Sequence, residues 1–344
     1  MLQFCSLLSE YCEPLARLVL KEMDEKRNEG RKLWAQRHPD VAATRSMKRR
    51  MVSQDYQNAA IYMVTMCMEG RRACLGTLYG PDETHPQPWV APTPLGERVK
   101  AEWLGIPRYY PQIRILAVAL MPDHLHGIVH VQETLPVHLG QVISGFKAGC
   151  NRIARTVGQQ CPLWEKGYND KVLRGGGQLN RWFEYLRDNP RRLWIKRQHH
   201  SYFTMNRLTI AGNDIVTMGN LSLLERSSIL QVRCSRRMTD DDIDHESNRL
   251  LDLAAKGAVL VSPSISHGEK TIMGKAIEAG YPVILIRDNG FDVMSKPEGR
   301  LFDACAEGKV LLISKNEHHN DYQPLTEDRC REMNVLARAI ARQQ

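Results

Sequence analysis

The chain has 344 residues, 42% of them hydrophobic and 25% charged, with a formal net charge of +8. That length suits two domains and that composition a globular protein, and the positive balance opens nucleic acid or a membrane surface as partners. No apolar run approaches the ~20 residues that cross a bilayer. No basic region precedes Leu2–Leu8, so a signal peptide is not expected, and nine irregularly spaced cysteines without a C-x-x-C point to reduced thiols in a cytoplasm.

Residues 1–50 read as a helical N-terminal arm that grows basic toward Arg45, Lys48, Arg49 and Arg50. Ile61–Met68 reads as a strand and residues 77–93, rich in Pro and Gly, as a loop. A helix is expected over 95–109, from Val99, Trp103, Leu104 and Ile106. The apolar run Ile115–Leu120, the turn Pro122-Asp123 and the segment His124–His130 make a strand–turn–strand. A helix follows over 136–157, then a loop from Trp164 into a short strand ending near Arg174. Gly175–Gly177 breaks the chain before a helix over 179–189, which Pro190 should end or kink. The order β-α-β-β-α-β-α implies an α+β fold with helices packed on an antiparallel sheet.

Past about residue 212 the pattern changes. Strands at 229–232, 258–261, 283–286 and 310–313 are apolar throughout and alternate with helices, which predicts a parallel, doubly wound α/β sheet. The expected domains are therefore 51–205 and 221–344, after the arm at 1–50.

The chemistry centres on His124 and His126. On a strand both point to one face while Leu125 packs on the other, making half a metal site. A third ligand must come from elsewhere. Tyr185 and Asn189 are four apart on a helix and share a face, so Asn189 could complete the metal site while Tyr185 reaches it. Such a metal would polarise a phosphodiester, and the Tyr185 phenolate would attack phosphorus in line. Free tyrosine has a pKa of about 10, so the phenol must first lose its proton.

His124-Leu125-His126 after Met121-Pro122 resembles the His-hydrophobe-His motif of the single-tyrosine HUH transposases. Tyr62–Thr65 with Gly70-Arg71-Arg72, Phe146-Lys147, Leu163–Tyr168 and Tyr185–Pro190 resemble further segments of that family, the last its REP-associated tyrosine transposase branch. Asp123 stands where the family commonly has Asn. The resemblance covers roughly residues 45–200. It implies a ferredoxin-like core, Mg2+ or Mn2+, cleavage and joining of single-stranded or hairpin DNA, and a 5′-phosphotyrosine intermediate, with a homodimer left open and no membrane partner. Arg71, Arg72, Lys147, Arg152, Arg155, Trp164, Tyr168, Lys171 and Arg174 are then the expected DNA contacts. The second domain resembles the Rossmann-like fold of DNA-processing protein A and the nucleotide-binding SLOG group. The match rests on Val261–Gly268 and the helix after it, where Ser264, Ser266, His267 and Gly268 form a candidate nucleotide or anion loop. The alternative to a transposase is a non-catalytic, domesticated protein that binds single-stranded DNA or nucleotide and regulates.

Bland readings stand beside these. Tyr168 is a rival nucleophile, but it lacks a ligand four residues on, which favours packing or base stacking. His130, His199-His200 and His318-His319 read as edge or loop residues, and no Gly-x-Ser-x-Gly elbow supports a hydrolase around Ser264.

Overall fold

The computed structural model describes residues 54–210, 212–291, 295–319 and 323–342. The expected basic arm at 1–50 lies outside them. The chain divides into two units, Met1–Trp194 and Ile195–Gln344. The described residues form a mixed α/β structure with three sheets. The seven cysteines among the described residues are all free thiols.

In the first unit four strands form one antiparallel sheet. β1 is Ala60–Cys67, the hairpin β2 (Gly76–Tyr79) and β3 (Trp89–Pro92) is a separate small sheet, and β4 (Ile113–Leu120), β5 (His124–Val131) and β6 (Asn169–Val172) complete the main one in the order β4-β5-β1-β6. One face carries Tyr62, Val64, Met66, Leu125 and Val129. They pack in a single core with helices α1 (Pro94–Leu104) and α2 (Leu139–Thr156), through Val99, Trp103, Val142, Ile143 and Phe146. The opposite face carries Ile61, Met63 and Ile128 and meets α3 (Gln178–Gln198) through Leu179, Trp182 and Leu186. Leu179, Trp182, Leu186 and Asn189 lie at helical spacing, which is why α3 has one buried stripe.

Two expectations change here. Residues 77–93 are not all loop. Thr77-Leu78-Tyr79 and Trp89-Val90 are good strand formers, Pro81, Pro86 and Pro88 lie between them, where no ladder bond is needed, and Pro92 stands at the end of β3. Pro190 does not end its helix, because α3 runs on to Gln198. Proline removes the one amide that would bond the Leu186 carbonyl, and beyond it the Trp194 ring still packs against Gly80.

In the second unit the hairpin β7 (Met205–Ile210) and β8 (Asn213–Gly219) joins a sheet with β9 (Ile229–Gln231), β10 (Val259–Ser262), β11 (Val283–Ile286) and β12 (Val310–Ser314), in the order β7-β8-β12-β11-β10-β9. β9 to β12 are parallel, as expected, and β8 pairs antiparallel with β12. The hairpin thus belongs to this sheet, which begins ahead of residue 221. The doubly wound expectation needs correction. The four parallel strands follow one another without a reversal of order, so this sheet has no switch point between halves. Helices α4 (Asp240–Ala255), α5 (His267–Glu278) and α6 (Arg300–Ala306) accordingly share one face, and the terminal helix α7 (Glu327–Arg342) covers the other.

Candidate active site

The two histidines are placed by β5, and β5 is placed by a glycine. Gly127 lies between His126 and Ile128 and faces away from them, toward the fully buried Trp103 ring. A Cβ there would sit 2.1 Å from that ring. The turn before β5 is pinned on two sides. The Met68 amide donates to the Asp123 carbonyl at 2.9 Å, and the Leu75 amide to the Pro122 carbonyl at 3.0 Å.

On the opposite face, Thr65 of β1 stands directly across from His126, and Cys67 across from His124. The two imidazoles meet edge to face, with centroids 4.8 Å apart. Each has its Nδ1 engaged. Asp123 Oδ1 lies 2.7 Å from His124 Nδ1, and Thr65 Oγ1 lies 2.8 Å from His126 Nδ1. A carboxylate can only accept, so His124 donates from Nδ1, and the neutral ring then keeps its lone pair on Nε2. The Thr65 hydroxyl can accept or donate, so it permits the same tautomer at His126. Burial works to raise the Asp123 carboxyl, but the hydrogen bond from His124, the charge that ring carries when protonated and the Arg71 guanidinium, 3.2 Å away, outweigh it and hold the pKa at about 2.

α3 brings Tyr185 and Asn189 to this face. The Tyr185 ring lies 5.4 Å from that of His126, again edge to face. Asn189 is buried, and its Nδ2 donates to the Tyr185 carbonyl at 3.4 Å, leaving its Oδ1 as the group with which it could meet a cation. Arg192 sits over the Tyr185 ring, 5.8 Å from its centroid. His124, His126, Tyr185 and Asn189 thus share one side of the sheet, although sixty residues separate the histidines from the tyrosine. His130 is buried on the same face. Among the described residues no three His, Cys, Asp or Glu side chains cluster as metal ligands, so any metal here would rest on the mixed set of two imidazoles and an amide.

The expected DNA contacts divide. Arg152, Arg155, Lys171 and Arg174 are exposed. Lys171 pairs with Met63 and so shares the face of the histidines. The others have structural work. Trp164 and Tyr168 are buried in the core with Phe146, which removes them as stacking surfaces. Lys147 Nζ donates to the Glu165 carbonyl at 2.8 Å and to that of Gly167, tying the loop before β6 to α2. Arg72 donates to the carbonyls of Glu69, Gln160 and Pro162. Arg71 reaches Asp123 from a left-handed backbone at φ 55°. Their basic character is thus used on carbonyls and on the carboxylates of Asp123 and Glu165. Asp123 and Thr65 are the members of the site that sequence reasoning missed. The signal for Asp123 was its own departure from Asn, whereas Thr65 shows only once β1 is paired with β5.

In the second unit the loop after β10 is filled from within. Glu269 is buried and accepts from the Ile265 amide at 2.7 Å and from the Ser266 amide at 3.3 Å. Ser266 caps α5, so His267 and Gly268 of the segment read as loop already belong to that helix. His267 is largely exposed, Gly268 is buried against Cys234, and Ser264 has φ 51°. Two amides of the expected anion loop therefore already hold a carboxylate of the chain itself. This counts against an anion cradle there.

No family model matches the chain. An uncharacterized protein of Haemophilus influenzae is 27% identical over 169 residues, covering 43% of this chain and 89% of that protein. Among solved structures, a REP-associated tyrosine transposase bound to a REP hairpin shares 15% identity at a TM-score of 0.31, over 44% of this chain and 73% of its own. DNA processing protein A from Helicobacter pylori, solved for its single-stranded DNA binding mode, shares 19% identity at a TM-score of 0.31, over 41% of this chain and 67% of its own. At these TM-scores the likenesses assign neither a family nor an activity. Among the described residues no helix is long and apolar enough to cross a membrane.

Proposed function

We propose that the first unit is a metal-dependent DNA strand transferase that cleaves single-stranded or hairpin DNA with Tyr185 as nucleophile. We read its sheet as ferredoxin-like and the second unit as a parallel α/β layer related to the Rossmann-like folds but not doubly wound. The observation that carries this reading is the convergence of the Tyr185 ring on His126, with both histidine Nδ1 atoms already engaged and Asn189 one helical turn further on. Any buried imidazole needs a hydrogen-bond partner; for a ligand histidine the group on Nδ1 also fixes the ring and aims Nε2.

The residues fit a divalent cation held by His124, His126 and Asn189. Bound Mg2+ or Mn2+ would supply Lewis-acid polarisation of a phosphodiester oxygen. The rest falls to the chain. β5 and α3 hold the phenol beside the imidazoles, so attack is intramolecular in character once DNA is bound. The Tyr185 oxygen, having lost its proton, bonds to phosphorus. The bond from phosphorus to the 3′-oxygen breaks, and that oxygen takes up a proton. A 3′-hydroxyl and a 5′-phosphotyrosine result, and the reverse attack by a 3′-hydroxyl rejoins strands.

Labelled hairpin DNA incubated with the full chain and Mn2+ should give a covalent adduct on a denaturing gel, and EDTA should abolish it. Binding without any adduct, at every metal concentration tried, would favour a binding-only protein instead. The two imidazoles in the donor set lead us to expect tighter binding of Mn2+ than of the oxygen-seeking Mg2+. Asp123→Asn removes the charge that orients His124 and should weaken Mn2+ about tenfold. Titration of free Mn2+ by its electron paramagnetic resonance signal reads this directly, and an unchanged affinity would remove Asp123 from the site.

A further inference from the structure

The β2–β3 hairpin carries an ordered stack of three rings. Tyr79 and Trp89 are direct cross-strand partners, with centroids 5.1 Å apart and planes 23° from parallel. On the Trp89 side, His85 stacks at 4.1 Å and 18°. The stack is set before any ligand arrives. Asp82 Oδ1 accepts from the Thr84 amide at 2.8 Å and from the His85 amide at 2.6 Å, and its contact with the His85 ring at 3.3 Å holds that ring over the indole. Tyr79, in contrast, is 47% exposed, a large aromatic at the solvent end of the stack.

The hairpin also lies beside the candidate site. The residue before it, Leu75, donates its amide to the Pro122 carbonyl, in the turn that leads to His124. The residue after β2, Gly80, packs against the Trp194 ring of α3, the helix of Tyr185 and Asn189. A Cβ at Gly80 would come within 2.6 Å of that ring. The small sheet therefore reaches from the histidine turn to the nucleophile helix.

We propose that Tyr79, backed by Trp89 and His85, is a stacking platform for one unpaired base of the DNA strand entering this site. The proposal rests on the strand-transferase reading of the same unit. A flat, pre-ordered, solvent-facing ring suits a nucleobase of any sequence, since every base offers a π-face, and a backed platform loses little freedom on binding. It also supplies the base contact that buried Trp164 and Tyr168 cannot make.

The test uses the full chain and a fluorescein-labelled DNA hairpin with an oligothymidine 5′ tail, read by anisotropy. Tail thymidines are replaced singly by abasic sugars. In the wild type, one tail position should cost about tenfold in Kd when abasic. Tyr79→Ala should weaken the intact probe by the same factor, lose sensitivity to that position, and leave a tailless hairpin bound as before. Tyr79→Phe keeps the ring and should behave as wild type. Tyr79→Ala that binds the intact probe like wild type would overturn the platform, as would equal weakening for tailed and tailless probes. A changed oligomeric state with unchanged DNA affinity would make the stack a protein contact and overturn it too. Wild-type protein that binds neither probe would remove the strand-transferase reading along with the platform, whereas a Tyr185-dependent adduct alongside an unaffected Tyr79→Ala would remove the platform alone.

Discussion

Tyr185→Phe should form no covalent DNA adduct while binding the same hairpin within about twofold of wild type, since a substitution that leaves packing and phosphate contacts in place changes affinity little. The phenylalanine ring keeps the edge-to-face contact with His126 and the packing of α3 on Ile61, Met63 and Ile128. Only the attacking oxygen is gone. Removal of a nucleophile from a group of residues that act together typically costs a factor of thousands or more, enough to empty the adduct band. An adduct of wild-type intensity from Tyr185→Phe would mean that another residue attacks. Tyr168 is a poor substitute, because it is buried in the core on the other face of the sheet.

Gly127→Ala should be the most damaging single methyl group in the first unit. The new Cβ would meet the Trp103 ring at 2.1 Å, and Trp103 is fully buried among α1, α2 and the sheet. Neither side can yield cheaply, since one is strand backbone and the other a large ring in a filled core. A cost of about 3 kcal/mol is expected, at the upper end for overpacking. All six tryptophans belong to the first unit, so tryptophan fluorescence reports its unfolding without interference from the second. In denaturant the midpoint should fall while the slope stays constant. The same methyl would displace β5 and with it both histidines, so Mn2+ affinity should fall as well. Trp103→Phe added to Gly127→Ala shrinks the ring and should restore part of both losses. An unaltered midpoint in Gly127→Ala would contradict the account of how β5 is fixed.

The parts of this arrangement that sequence makes visible are those with strict local spacing. Two histidines two apart after an apolar run read as one face of a strand, and Tyr185 with Asn189 reads as one face of a helix. What lay beyond reach depends on pairing. Thr65 meets His126 only because β1 and β5 are antiparallel in one register, and nothing near Thr65 in sequence points to it. The β2–β3 hairpin was masked by prolines that sit between its strands. Lys147 and Arg72 look like phosphate ligands by residue type, but their reach is long enough to find backbone carbonyls nearby. Trp164 and Tyr168 look like stacking residues, yet they fill the core beneath α2. In the second unit the positions of the four parallel strands were legible from apolar runs, but the β7–β8 hairpin and the order in which the strands lie were not. A buried parallel strand has the same composition wherever it sits.

The central claim is that Tyr185 carries the cleaved strand. Wild-type protein should be trapped with hairpin DNA and Mn2+, digested with protease and nuclease, and sequenced by tandem mass spectrometry. A nucleotide phosphate is expected on the peptide containing Tyr185, on its phenolic oxygen. A nucleotide on any other residue, or DNA cleaved with both ends free and Tyr185 unmodified throughout, would contradict it.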